Sequence, residues 1–221
     1  MPFTIDDLNY EKDSKERMPW EHYLELYAKA DPKEIANRLS IPFDESKKAF
    51  TLTFLGSEYT VTYPDFQVKH VEDEKGCYPL EDMIYAKILT IRFLLNGSSS
   101  VGTGKFKTYR EMPWGEVYLR QFDGRCIKRL AFTYGNRLDD FRLVMEHMKC
   151  TPVKYGDVAY ELSIYPGYQV QMILWEGDDE FPPSSQILFS DNFPVSFAAE
   201  DMAVMGDVII GSLKAYLGVL K

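Results

Sequence analysis

Three cysteines and three histidines are all that the 221 residues offer to thiolate or imidazole chemistry. Cys77, Cys126 and Cys150 are odd in number and widely spaced, so they suit neither a disulfide framework nor a CxxC metal knuckle, and reduced thiols are expected. His22, His70 and His147 fall in no HxH, HExxH or Cys/His arrangement, which argues against a zinc hydrolase. No GxSxG motif is present, and although Cys126 lies beside Arg125 and Lys128, a setting that lowers a thiol pKa, no base accompanies it. Basic residues are also short: 25 Lys and Arg face 34 Asp and Glu, for a net charge of −9. That field repels phosphate, so neither nucleic acid nor an anionic membrane surface is an expected partner. No uninterrupted apolar run nears the ~20 residues of a membrane span, and residues 1–17 hold no apolar signal region, so a cytoplasmic protein is expected.

What is present is ordinary globular material, 45% hydrophobic and 14% aromatic, enough to bury a core without disulfides or a structural metal. The spacing predicts a helix over 20–30, then a second one capped by Asp31 with Pro32 in its first turn and Pro42 as its stop. Residues 50–55 and 58–63 read as a hairpin turning at Gly56-Ser57, and Pro64 stops its second strand. Residues 71–76 read as a charged loop. Leu80, Met83, Ile84, Ile88, Ile91 and Leu95 recur at helical spacing, which predicts one helix ending at Gly97. The Ser/Gly-rich run Gly97 to Gly104 then reads as a mobile surface loop and a candidate lid. Two short helices are expected over 114–122 and 127–134, and a longer one capped by Asn136.

From Thr151 the period becomes strand-like. In the hairpin turning at Tyr165-Pro166-Gly167-Tyr168, a simple two-residue loop would set Leu162 against Gln171 on the wrong face. A register slip of one is therefore expected, bringing Leu162 opposite Val170. Residues 185–190 supply another strand, and a long helix with Glu200 and Asp201 near its start closes the chain. The whole predicts an α+β domain: an antiparallel sheet with helices packed on it, a helical middle segment and a long C-terminal helix, over 19–221, with an N-terminal arm over 1–18.

Candidate chemistry concentrates in Asp178-Asp179-Glu180, between the strand ending at Trp175 and Phe181-Pro182-Pro183. Three carboxylates on one connection offer hard oxygen ligands to Mg²⁺ or Ca²⁺, or an acid and base pair. The bland alternative has Asp178 organising a turn, Phe181 plugging the core and the other acids solvated. Gly97 to Lys105 approaches a phosphate loop but places Thr103 where the lysine belongs. Arg110, near Trp114 and Tyr118, has the shape to hold an anionic ligand, or to pair internally with Asp65 or an acid of 178–180. The tryptophans could stack on a planar group, but more often such rings fill a core, and their spacing indicates no cofactor.

Several segments resemble the prokaryotic family catalogued as domain of unknown function 3786: Tyr63-Pro64-Asp65 with Val68, Arg110 through Pro113, Gly115, Tyr118, Phe122, Gly156-Asp157, Trp175 through Pro182, Ile187 through Phe189, and Glu200-Asp201. The resemblance implies a setting in anaerobic redox or one-carbon metabolism. Some relatives carry a cysteine-rich iron–sulfur segment that this chain lacks. The leading expectation is a non-catalytic accessory or small-ligand-binding domain whose cleft is lined by Arg110, Tyr118, Trp175, Asp65 and the acids 178–180. The alternatives are a divalent-metal-dependent hydrolase using Asp178, Asp179 and Glu180, and a protein-interaction module, so the partner is a small molecule or another protein.

Overall fold

The computed structural model describes residues 18–71 and 76–221, so the N-terminal arm and the middle of the predicted 71–76 loop lie outside the described residues. Helix α1 (Met18–Lys29) leads to Asp31, whose carboxylate accepts the Lys33 N–H at 2.8 Å and starts α2 (Pro32–Leu39). The stop comes before Pro42: Ser40 turns left-handed at φ 55° and returns its N–H to the last turn.

The first sheet is antiparallel in the order β1 (Phe43–Asp44), β2 (Ala49–Phe54), β3 (Ser57–Thr62), β4 (Val68–His70). Its hairpin turns one residue earlier than expected, at Leu55-Gly56, where both residues have positive φ (49° and 83°), as a type I′ turn requires. Leu55 tolerates this because its side chain enters the core and its N–H bonds Ile164 O of the second sheet at 3.1 Å. β3 ends at Thr62, two residues before Pro64, and the Tyr63–Pro64 peptide is cis.

The single helix expected over 80–95 is two, α3 (Pro79–Asp82) and α4 (Ile84–Asn96), joined by an extended Met83. At the break the Met83 sulfur lies 3.7 Å from Ser212 Oγ of the C-terminal helix, whose hydroxyl donates to Val208 O at 2.7 Å, a tertiary contact that periodicity does not encode. After β5 (Phe106–Thr108) and a 3₁₀ turn, the two helices expected over 114–134 are one rod: α5 (Gly115–Phe122), a π-helical turn (Asp123–Lys128) and α6 (Arg129–Tyr134). In that wide turn Cys126 is fully buried and donates to Ala203 O at 3.4 Å. α7 (Leu138–His147) follows, with Arg137 rather than Asn136 at the cap position.

The second sheet is antiparallel in the order β5, β9 (Ser184–Ser190), β8 (Tyr168–Trp175), β7 (Val158–Tyr165), β6 (Thr151–Pro152). Leu162 pairs with Val170, and the register shifts between Ser163 and Tyr165, so the expected slip is present. One face of this sheet carries Tyr160, Met172 and Ile187, then Leu162, Val170 and Phe189. It meets the helices through Phe141 on Tyr160 (ring centroids 5.9 Å) and Phe122 on Phe189 (5.9 Å). The other face carries Glu161, Gln171 and Leu188, with Ser163 paired to Gln169.

α8 (Ala199–Leu220) packs against α4, α5, the π turn and α7. Among the described residues it is the one helix long and apolar enough to cross a membrane, but here it is mostly buried within the fold. At the junction of α4 with the β7–β8 turn, Phe93 stacks on Tyr165 at 4.3 Å and on Phe197 at 5.5 Å, and the Tyr165 hydroxyl meets Thr90 Oγ1 at 2.8 Å. The aromatic residues thus serve the core in this region, as their size favours.

Candidate functional site

Asp178 organises a turn. Its carboxylate accepts the backbone N–H groups of Phe181 at 2.7 Å and Glu180 at 2.8 Å, and its own N–H returns to Phe181 O. These bonds, that from Phe181 foremost, stabilise the carboxylate and hold its pKa below the usual aspartate range. Asp179 and Glu180 are exposed, and so is Phe181, at 67%: it does not plug the core. Among the described residues no group of three or more His, Cys, Asp or Glu side chains is arranged to hold a metal ion. The neighbouring motifs explain the loop's position. Gly156, at φ 56°, lies so close to β8 that a Cβ would come within 2.5 Å of Leu174 O, and Asp157 then accepts the Glu176 N–H at 2.8 Å.

The other predicted site residues are dispersed. Arg110 pairs with exposed Glu116 at 3.2 Å, not with Asp65 or the acidic loop. Asp65, in the turn after β3, accepts from Thr62 Oγ1. Tyr118 lies on α5 and, with Trp114 (77% exposed) and Val117, forms an exposed face of that helix. Trp175 ends β8, paired with Ser184. The predicted lid is tied down instead. Ser99 N–H bonds Arg38 O (2.9 Å), Ser98 O accepts the Tyr168 hydroxyl (2.6 Å), Ser100 O accepts Asn192 Nδ2 (3.2 Å), and Thr103 N–H bonds Asp191 (2.9 Å).

A cleft of about 620 Å³ opens instead between α1, α4 and the start of α8. Its walls are Tyr23, Tyr85, Ile88, Leu89 and Val204. At its base Arg92 of α4 forms an ion pair with Asp201 of α8: Nη2 donates to Oδ2 at 3.1 Å, and Nε lies 2.7 Å from Oδ1 without hydrogen-bond geometry. Arg92 also bonds the Tyr23 hydroxyl and lies 5.1 Å from the centre of that ring. Burial works against the guanidinium charge, but the hydrogen bond and field of Asp201 outweigh it, so its pKa lies above the ordinary value. Asp201 is 7% exposed and also caps α8 by accepting the Ala198 N–H at 3.0 Å.

Arg125, at the cleft's edge, shares a single partner, Asp207, with Arg129 behind it, whose Nη1 lies 2.9 Å from Asp207 Oδ1. That trio carries one uncompensated positive charge. Glu200, on the lining, makes no ion pair among the described residues. Only Glu200 and Asp201 of this constellation stood out in the sequence. Arg92 left one signal: it sits four residues after Ile88 and three before Leu95, a charge on the apolar stripe itself. The lowered Cys126 pKa suggested by its basic neighbours is reversed. Burial first, then Asp207, pushes the thiol up to about 12, which makes it a poor nucleophile.

Against known proteins, the family model described as domain of unknown function 3786 matches residues 31–212. Comparison with curated proteins and with solved structures finds no match.

Proposed function

The chain belongs to the family of domain of unknown function 3786, and from that premise we propose that it is a non-catalytic small-ligand-binding domain whose site is the cleft between α1, α4 and α8. The observation that carries this reading is the surplus positive charge of Arg125 and Arg129 over Asp207, set at the edge of an apolar-walled cleft of ligand size. Arg92 contributes rigidity more than charge, because its charge is matched by that of Asp201. The chemistry that fits is an amphipathic zwitterion: an anionic group at Arg125, a donor toward Glu200, and an apolar body against Tyr23, Tyr85 and Leu89. A free amino acid with a large apolar side chain is the simplest such molecule.

Thermal unfolding with L-phenylalanine tests the proposal, with 2-phenylethanol as the analogue lacking both charged groups. At ~100 times its dissociation constant, a native-state ligand adds about 2.7 kcal/mol. For a chain of this size that is a rise of roughly 5 to 10 °C. The rise is expected with L-phenylalanine and is lost in Arg125→Gln. An equal rise with the alcohol, none with either, or a rise with L-phenylalanine that persists in Arg125→Gln sinks the reading.

A further inference from the structure

The face of the second sheet opposite the helices carries a groove of about 470 Å³ that the cleft does not use. Two loops wall it. On one side is Tyr155, whose bend Gly156 seats against β8; on the other is Gly102 to Gly104, held by Thr103 on Asp191. The floor is Glu161, Gln169 and Gln171.

The hydrogen bonding of that floor is one-sided. Gln171 is only 7% exposed, and its Nε2 donates to Glu161 Oε2 at 3.0 Å. Gln171 lines the groove, and its carbonyl oxygen takes no hydrogen bond from the described residues. Among the described residues, partly buried Glu161 accepts nothing beyond that amide and pairs with no Lys or Arg. Lys149 lines the adjoining recess with Glu161 and Gln169 but makes no ion pair with the carboxylate. A partly buried carboxylate and a buried amide oxygen thus present acceptors that no described cation pairs with. Beside them the Tyr155 ring is 56% exposed, an aromatic face available to a positive charge.

We infer that this groove is a second binding site, for an organic ammonium cation. An ammonium brings donors and no acceptor, which is what Glu161 and Gln171 lack, and its charge suits both the Tyr155 ring and the net charge of −9. The site stands apart from the cleft: it lies on other elements and contains none of its residues.

Calorimetric titration of the full chain with benzylammonium at neutral pH tests the inference, with benzyl alcohol as the neutral isostere. Benzylammonium is expected to bind and benzyl alcohol not to. Glu161→Gln and Tyr155→Ala should each weaken binding by about tenfold or more, while Arg125→Gln leaves it unchanged. Tyr155 is on an exposed loop, so its variant decides the matter if Glu161→Gln fails to fold. Equal affinity for benzyl alcohol, no binding of benzylammonium, or full affinity in both groove variants overturns the inference. Loss of binding in Arg125→Gln alone would move the ammonium site to the cleft and equally overturn it.

Discussion

Asp178 turns a chemically suggestive triplet into a local structural device. Because its folded pKa is depressed, the stability it contributes is fully present above about pH 4, the unfolded aspartate range, and is lost as pH falls through the lower folded value. Asp178→Asn should therefore melt below the parent protein at pH 7, and the gap should close on acidification toward pH 2. A gap that persists there would mean that the charge is not what the two N–H bonds reward. The turn reading of Asp178 was legible in the sequence, since aspartate beside Gly177 and ahead of Pro182 is turn chemistry. The exposure of Phe181 was not, because a large apolar side chain in a loop reads as core unless its surroundings are known. Cys126 shows the same limit in the other direction. Its sequence neighbours are basic, but the atoms that surround it belong to α8.

Among elements, α8 packs closely on the π turn at one end and is open at the other. A Cβ at Gly206 would come within 2.6 Å of Cys126 Sγ, whereas one at Gly218, on the same helix, would meet nothing within 4 Å. Alanine raises helix propensity by about 1 kcal/mol at either position. At Gly206 that gain is exceeded by overpacking, of about 1 to 3 kcal/mol. Gly206→Ala is expected to lower the melting temperature and Gly218→Ala to raise it by roughly 2 to 4 °C. The same sign in both variants would show that the approach of the π turn to α8 relaxes freely. The elements that sequence reading recovered best are those whose partner is adjacent in the chain. The slip that sets Leu162 opposite Val170 follows from alternation across one hairpin. The break at Met83 and the π turn at 123–128 follow from contacts with a helix more than 70 residues away, and no local pattern announces them.

For the molecule as a whole, the two sheets meet where Leu55 N–H bonds Ile164 O and Phe54 lies 5.2 Å from Tyr165. Phe93, Tyr165 and Phe197 extend that junction to α4 and the approach to α8. With the junction buried, urea unfolding followed by far-ultraviolet and near-ultraviolet circular dichroism should give coincident single transitions. Separated midpoints would show that the sheets unfold independently.

By itself the sequence determined what depends on neighbours in the chain: the α+β class, the longer helices and the two hairpins, the β7–β8 register, the acidic charge and the family likeness. Side-chain periodicity, capping and turn chemistry act over a few residues, so they can be read in order. The tertiary structure alone decided which distant groups meet. Arg92 and Asp201, 109 positions apart, form the base of the cleft, and Tyr155 and Gly102 to Gly104 face one another across Glu161 and Gln171. Such meetings are set by how helices and sheet faces pack, and that free energy is shared over the whole core rather than written at any one position.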